Sequence, residues 1–207
     1  MPKQTFFNLP SEKRETLIHA AKKEFSRAAF AEASIANIVK EANIPRGSFY
    51  QYFEDKADVY HYLLQEISLY RQRTFVDSLK KYDGDLFQAL AQNFEGLIKE
   101  LENEKESEQF YRNVFINMDY RSGNHFFGSL DMQALSKHYD EIKQYVRKDK
   151  LNITNDEELV FMMQIMMSIF IKTIVNKYVQ KIPLEQVIEQ FQIQLNLVRN
   201  GFERKDV

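Results

Sequence analysis

Between Ser34 and Lys56 the chain reads SIANIVKEANIPRGSFYQYFEDK, and from Arg46 onward it is crowded with groups that suit a nucleic-acid surface. If Arg46 to Phe53 is helical, Phe49 and Phe53 lie above one another at about 3.6 residues per turn and serve as core anchors. That leaves Arg46, Gly47, Ser48, Tyr50, Gln51 and Tyr52 on the remaining surface, with no carboxylate before Glu54. Arg46 and Gln51 are suited to paired hydrogen bonds with base edges in the major groove. Ser48 and Tyr52 can donate to a base or a phosphate, and Tyr50 to a phosphate. Lys56 adds a point charge at the DNA backbone. Gly47 lets the helix approach DNA closely, where a larger side chain would hold it off.

Those groups need a rigid mount, and the preceding residues supply one. Ser34 is a good N-cap, and Ile35, Ile38, Val39 and Ala42 form the buried stripe of a short helix. Asn43 and Ile44 make the turn, and Pro45 fits just ahead of, or in, the first turn of the second helix, where its missing N–H costs no intrahelical bond. Two helices joined by a few residues, the second presenting polar groups, form a helix-turn-helix. The plainer alternative is a surface helical hairpin with two exposed tyrosines.

The segment resembles the DNA-binding region of TetR-type transcriptional regulators. The resemblance rests on Ser34, Ile38, Ala42, Ile44, Gly47, Phe49, Tyr50, Tyr52, Phe53 and Lys56, in that order. It covers the first third of the chain, while the remainder agrees only in length and helicity. Two positions depart from the pattern: Asn43 stands where the family often has Gly, and Pro45 where a Ser or Thr often caps the recognition helix. The resemblance implies a homodimer, joined through its last two helices, that binds a double-stranded DNA operator. It also implies a small-molecule effector held between the middle helices.

At 207 residues, with 44% hydrophobic and 28% charged residues and only ten Gly and Pro together, the chain is expected to be compact and all-α. The expected architecture is a three-helix N-terminal helix-turn-helix unit (residues 1–54) followed by a larger helical bundle (55–207) for ligand binding and dimerisation, about nine helices in total. The net charge of −2 runs against DNA binding until its distribution is considered. Residues 1–56 carry nine Lys and Arg against seven acids, a balance of +2, and the rest carries −4. The absence of cysteine excludes thiol chemistry and disulfides, and with no apolar leader-like segment in MPKQTFFNLPSEKRE a cytoplasmic protein is expected, with no membrane contact.

Periodicity predicts a first helix over Ser11–Arg27, a long one from Asp55 to about Tyr82, and others over Leu86–Leu101, Ser107–Met118 and Leu130–Arg147. The stretch Arg121 to Ser129 reads as the principal loop. Thr154 and Glu157 form a capping-box pattern opening a helix towards Gln180, and Pro183 opens the last helix, which Asn200-Gly201 can end. The apolar tract Leu159–Val175 reads as a buried helix. Its polar residues Gln164, Ser168, Lys172, Asn176 and Gln180 fall at i+4 steps as one narrow ribbon, so most of its surface needs cover, and a partner subunit would supply it.

Met162, Met163, Met166 and Met167, with Phe161 and Phe170, fall within a few turns of that helix. Together with Phe94, Phe110, Tyr111, Phe115, Tyr120, Phe126 and Phe127 they could line an apolar cavity, although apolar stripes at helical spacing are usually core. The candidate ligand-binding set is Phe94, Tyr111, Phe115, Phe126, Met162, Met163, Met166 and Phe170. His19, His61, His125 and His138 show no zinc-ligand spacing. No cofactor is required by the sequence, although an imidazole binds iron without a motif, so haem ligation by His61, His125 or His138 stays open. No phosphate loop, Gly-x-Ser-x-Gly elbow or His-Glu-x-x-His is present, so no enzyme is expected. The expectation is a ligand-responsive repressor; the alternative is a helical ligand-binding or adaptor protein whose N-terminal unit binds protein.

Overall fold

The computed structural model describes residues 1–116 and 140–202. Nine α-helices and one 3-10 turn (Lys148–Lys150) lie wholly within them: α1 (Gln4–Phe7), α2 (Ser11–Arg27), α3 (Ile35–Glu41), α4 (Arg46–Tyr52), α5 (Lys56–Lys81), α6 (Leu86–Asn103), α7 (Lys105–Ile116), α8 (Asp156–Gln180) and α9 (Leu184–Phe202). The all-α class expected from the sequence is the class found. The described residues form two compact units, each considered by itself. The first comprises Met1–Tyr70 with residues 104–116, and the second Arg71–Asn103 with residues 140–202.

In the first unit, Leu17 and Phe25 of α2, Ile38 of α3, Phe49, Phe53, Val59 and Phe110 are essentially inaccessible to solvent. The α7 helix packs along α2. Lys22 Nζ donates to Ser107 Oγ at 2.9 Å, and the Asn113 carboxamide donates to the Phe25 and Ser26 carbonyls at 2.9 and 3.0 Å. Those carbonyls lie in the last turn of α2, where the helix supplies no partner of its own. The helix α1 precedes Ser11, where the first helix was expected to begin. It buries Phe6 completely and packs on α4.

The turn between α3 and α4 has a definite geometry. Asn43 adopts φ +52°, the Asn43 N–H donates to the Lys40 carbonyl at 3.2 Å, and the Ile44 N–H donates to the Val39 carbonyl at 3.0 Å. This is a Schellman closure, which requires a left-handed residue at that position. Asn is tolerated there because its short polar side chain stabilises the conformation locally, so the departure from Gly leaves the turn intact. Asn43→Val should therefore lower unfolding free energy by about 1–2 kcal/mol, read as a shift in the urea midpoint, whereas Asn43→Gly should not lower it. The same closure ends α5, with Asp83 left-handed and the Gly84 N–H on the Leu79 carbonyl, and ends α8, with Lys181 left-handed and the Ile182 N–H on the Lys177 carbonyl.

In the second unit α9 packs against both α6 and α8. Phe94 stacks on Phe191 with ring centroids 3.9 Å apart, and Phe170 closes on both edge-on. Asp85 caps α6 through the Gln88 N–H at 2.9 Å and also accepts from Arg199 at 3.2 Å. Gly84, at φ +77°, lies so close to residues 145–147 that a Cβ there would stand 2.6 Å from the Tyr145 carbonyl oxygen. The Arg147 N–H donates to the Gly84 carbonyl at 3.0 Å. The helix expected over Leu130–Arg147 lies partly outside the described residues. Within them its helical run stops at Ile142, because the chain turns to meet Gly84.

Two further expectations are corrected. The cap of α8 is Asn155, one residue beyond Thr154: its side chain accepts from the Glu158 N–H at 2.9 Å while the Glu158 carboxylate accepts from the Thr154 N–H at 2.6 Å. The run Thr-Asn-Asp-Glu-Glu fits a cap-x-x-Glu spacing in either register, and Asn is the stronger cap of the two. The α8 helix is also not simply buried. Among the described helices it alone is long and apolar enough to cross a membrane. Its inner side carries Leu159, Met162, Met166 and Ile174, and a buried Lys177 ion-paired with Glu102, so it is a core helix on that side. Its other side leaves Phe161, Ile165, Met167 and Val179 exposed, and Ile193 and Leu197 of α9 are exposed as well.

Candidate nucleic-acid interface

The helix α4 ends at Tyr52, one residue sooner than its sequence suggests, and Phe53 follows in extended conformation. Phe49 and Phe53 nonetheless anchor it as expected, fully buried with ring centroids 5.5 Å apart. Pro45 occupies the N-cap position without a side-chain cap, and its carbonyl accepts from the Ser48 N–H at 2.9 Å. Arg46, Gly47, Tyr50 and Gln51 are exposed, and Ser48 and Tyr52 are half-buried. Among the described residues the side-chain polar groups of Arg46, Ser48, Tyr50, Gln51 and Tyr52 make no hydrogen bond. A Cβ added at Gly47 would meet nothing within 4 Å. The chain's own packing therefore does not require glycine there.

Ser34 and Lys56, by contrast, have work inside the fold. The Ser34 hydroxyl accepts from the Ala36 N–H at 3.2 Å and so caps α3. Lys56 Nζ donates to the Ala31 and Ala33 carbonyls at 3.1 and 2.9 Å and lies 4.8 Å from the centre of the Phe30 ring. It thereby closes the loop between α2 and α3.

Glu24 is the residue that motif reading missed. Its buried carboxylate accepts from Arg27 at 2.8 and 2.7 Å, from the Ser34 N–H at 2.8 Å and from the Asn37 amide at 3.1 Å. One side chain thus ties α2 to the start of α3. Its position gives a signal in the sequence, since it shares the apolar stripe of Leu17, Ala21 and Phe25, where a carboxylate must find donors. The Arg27 hydrogen bonds, reinforced by Ser34 and Asn37, hold its carboxyl below the usual carboxylate value despite the opposing effect of burial. Because the folded-state value is depressed, the stabilisation is complete above the unfolded value of 4.5 and is lost as pH falls through the folded one. Glu24→Gln should flatten that acid limb and lower stability at neutral pH by about 1–3 kcal/mol, as measured by urea unfolding across pH 3–7.

A short capped helix, a Schellman turn and a second helix presenting uncommitted polar groups make a helix-turn-helix in geometry as well as in pattern. Comparison with known proteins bears directly on it. Residues 17–63 match the family of bacterial regulatory proteins of the tetR type, and residues 85–202 match the tetracyclin repressor-like C-terminal domain. The chain belongs to the TetR family. TetR-family regulators are DNA-binding transcription factors of the helix-turn-helix type and not enzymes. An uncharacterized HTH-type transcriptional regulator of Bacillus subtilis (strain 168), YdgC, is 36% identical over 73 residues, which is 35% of this chain and 37% of that protein. The match thus spans about a third of that relative's length.

Solved structures share the fold over nearly the whole chain, a TetR family transcriptional regulator among them. A regulator from Chloroflexus aurantiacus J-10-FL aligns over 99% of this chain and 100% of its own, at 21% identity and a TM-score of 0.54. SmeT, the repressor of the Stenotrophomonas maltophilia multidrug efflux pump SmeDEF, aligns over 93% and 91% at 13% identity and a TM-score of 0.63. Its complex with triclosan aligns over 94% and 93%, also at 13% identity, with a TM-score of 0.71.

The described candidate ligand residues of this TetR-family chain are divided between the two units. Phe94, Met162, Met163, Met166 and Phe170 belong to the second unit, where Phe94 and Phe170 meet over Phe191. Tyr111 and Phe115 belong to the first unit, on α7, with ring centroids 5.9 Å apart. Phe126, with Tyr120, Phe127, His125, His138 and the expected loop Arg121–Ser129, lies outside the described residues. Among the described residues no three metal-ligating side chains gather.

Proposed function

We propose that the protein is a ligand-responsive transcriptional repressor. It binds a palindromic operator as a homodimer in the cytoplasm, and a small apolar or aromatic effector releases it. No cofactor takes part. The observation that carries the DNA reading is the outer face of α4, where Arg46, Ser48, Tyr50, Gln51 and Tyr52 hold uncommitted donors and acceptors around a glycine that the fold itself does not need. Residues 1–54 read DNA and 55–207 sense and dimerise. The exposed apolar residues of α8 and α9 support the dimer, and the buried Met and Phe residues support an apolar effector. The repressor role of SmeT and its complex with triclosan support the corresponding parts by likeness.

A two-fold dimer places its recognition helices in successive major grooves, about 34–36 Å apart. Effector binding shifts the population towards a form in which that spacing is lost. Two elements give the shift a route. The α5 helix contributes to both compact units, and α7 grips the last turn of α2 through Asn113.

Selection of binding sequences from randomised duplex DNA, followed by titration at two salt concentrations, tests this reading. A palindromic preference and an affinity that falls steeply with salt are expected. Gly47→Ala supplies the internal control. Ala is favoured over Gly in a helix by about 1 kcal/mol, so the variant should melt no lower than the wild type yet lose at least tenfold in affinity for the selected duplex. Undiminished DNA binding by Gly47→Ala would show that α4 does not face DNA, and failure to retain any duplex at low salt would favour a protein partner for the N-terminal unit. Mass spectrometry of co-purifying molecules, with an absorption spectrum to detect a haem Soret band, identifies the effector class.

A further inference from the structure

With only seven residues, α4 is far shorter than a helix that is stable by itself in water. Its last four carbonyls have no intrahelical partner, and each must be met from elsewhere. The Phe49 carbonyl accepts from the Phe53 N–H at 2.9 Å, and the other three are met by the N-terminal segment. Lys3 Nζ donates to the Tyr50 carbonyl at 2.8 Å, the Thr5 hydroxyl donates to the Gln51 carbonyl, and the Lys3 N–H donates to the Tyr52 carbonyl at 2.8 Å. Phe6 fixes this strap in place, with its ring 4.9 Å from that of Phe53 and 5.2 Å from that of Tyr62. The Lys3 ammonium also lies at the negative end of the α4 dipole.

The three carbonyls belong to Tyr50, Gln51 and Tyr52, whose side chains form the C-terminal half of the candidate reading face. We propose that Lys3 and Thr5 are positioning residues for DNA recognition: they clamp the last turn of α4 from outside the helix and so set the direction in which Tyr50, Gln51 and Tyr52 project. This rests on the assignment of α4 as the recognition helix. A frayed last turn removes no charge and so keeps general attraction to phosphates. It disperses the side chains that must meet base edges. The strap therefore governs discrimination between sequences more than attraction to DNA as such.

Thr5→Val tests this cleanly, because it removes the hydroxyl donor at nearly constant volume and leaves the charge unchanged. Full-length wild type, Thr5→Val, Thr5→Ser and Gly47→Ala are titrated with the selected duplex and with random duplex. Hydrogen exchange is followed over peptides covering residues 46–53, and melting temperature is recorded for each. Thr5→Val should cut the selected-to-random affinity ratio about fivefold, in keeping with the loss of one hydrogen bond, and speed exchange in the last turn of α4. It should leave random-duplex affinity within about twofold, because no phosphate-neutralising charge is lost. Thr5→Ser, which retains the hydroxyl, should restore the ratio. An unchanged ratio in Thr5→Val, or an equal loss on both duplexes, overturns the proposal. If Gly47→Ala still loses the selected duplex in that case, the recognition-helix assignment survives and only the strap inference fails; if Gly47→Ala binds undisturbed, both fail.

Discussion

The double substitution Phe161→Glu, Ile165→Glu should yield a folded monomer whose affinity for the selected palindrome is lower than wild type by a factor of about 10²–10⁴, the advantage normally conferred by linking two binding modules. Both side chains are about half exposed, at 52% and 46%, so carboxylates there disturb little inside one chain. Between two chains the same carboxylates would face the apolar side of a partner helix and be desolvated without a counter-charge, which is a severe penalty. Val179 of α8 and Ile193 and Leu197 of α9 are also exposed, at 63%, 53% and 70%. Analytical ultracentrifugation reads the mass, and circular dichroism verifies that the helices persist. A variant that remained dimeric would place the subunit interface elsewhere.

Arg46→Ala addresses the reading of bases. The side chain is exposed and makes no hydrogen bond or ion pair among the described residues, so its removal should leave stability within about 0.5 kcal/mol of wild type, as for surface sites in general. A bidentate contact to a base is worth about 1–3 kcal/mol of discrimination, so affinity for the selected duplex should fall roughly 5- to 150-fold. Binding to random duplex should weaken much less, with a salt slope changed by no more than about one phosphate equivalent. Equal weakening on both duplexes would reassign Arg46 to the phosphate backbone. Lys56→Ala is not a clean phosphate probe, because Lys56 also holds the Ala31 and Ala33 carbonyls, and its loss would loosen the loop ahead of α3.

The helix-turn-helix was legible because its signals are local. Ser34 caps α3, Asn43 permits the left-handed turn, and Phe49 and Phe53 mark the buried side of the second helix. The strap was not legible in the same way. A four-residue helix has too few positions to show a period, and its hydrogen bonds reach partners more than 40 residues away, which no spacing rule anticipates. Glu24 occupied a middle ground, since its place on an apolar stripe announced a buried acceptor while its donors could be named only from the fold. For α8, composition indicated a helix needing cover on several sides, and only the fold separates the side lined by Leu159, Met162 and Ile174 from the side that exposes Phe161 and Ile165. The register of its cap was ambiguous because two overlapping spacings fit the same five residues.

The Glu24 clamp bears on whether the DNA-reading module is portable. Ser34 begins the motif, yet the acceptor for its N–H is a carboxylate ten residues upstream, and the last turn of α2 is in turn held by Asn113. A chimera that transplants only residues 34–56 into another regulator would arrive without that acceptor and without the strap behind α4. Respecifying the target sequence of such a protein is therefore better done by exchanging the outward side chains of α4 on their native mount than by moving the segment that contains them.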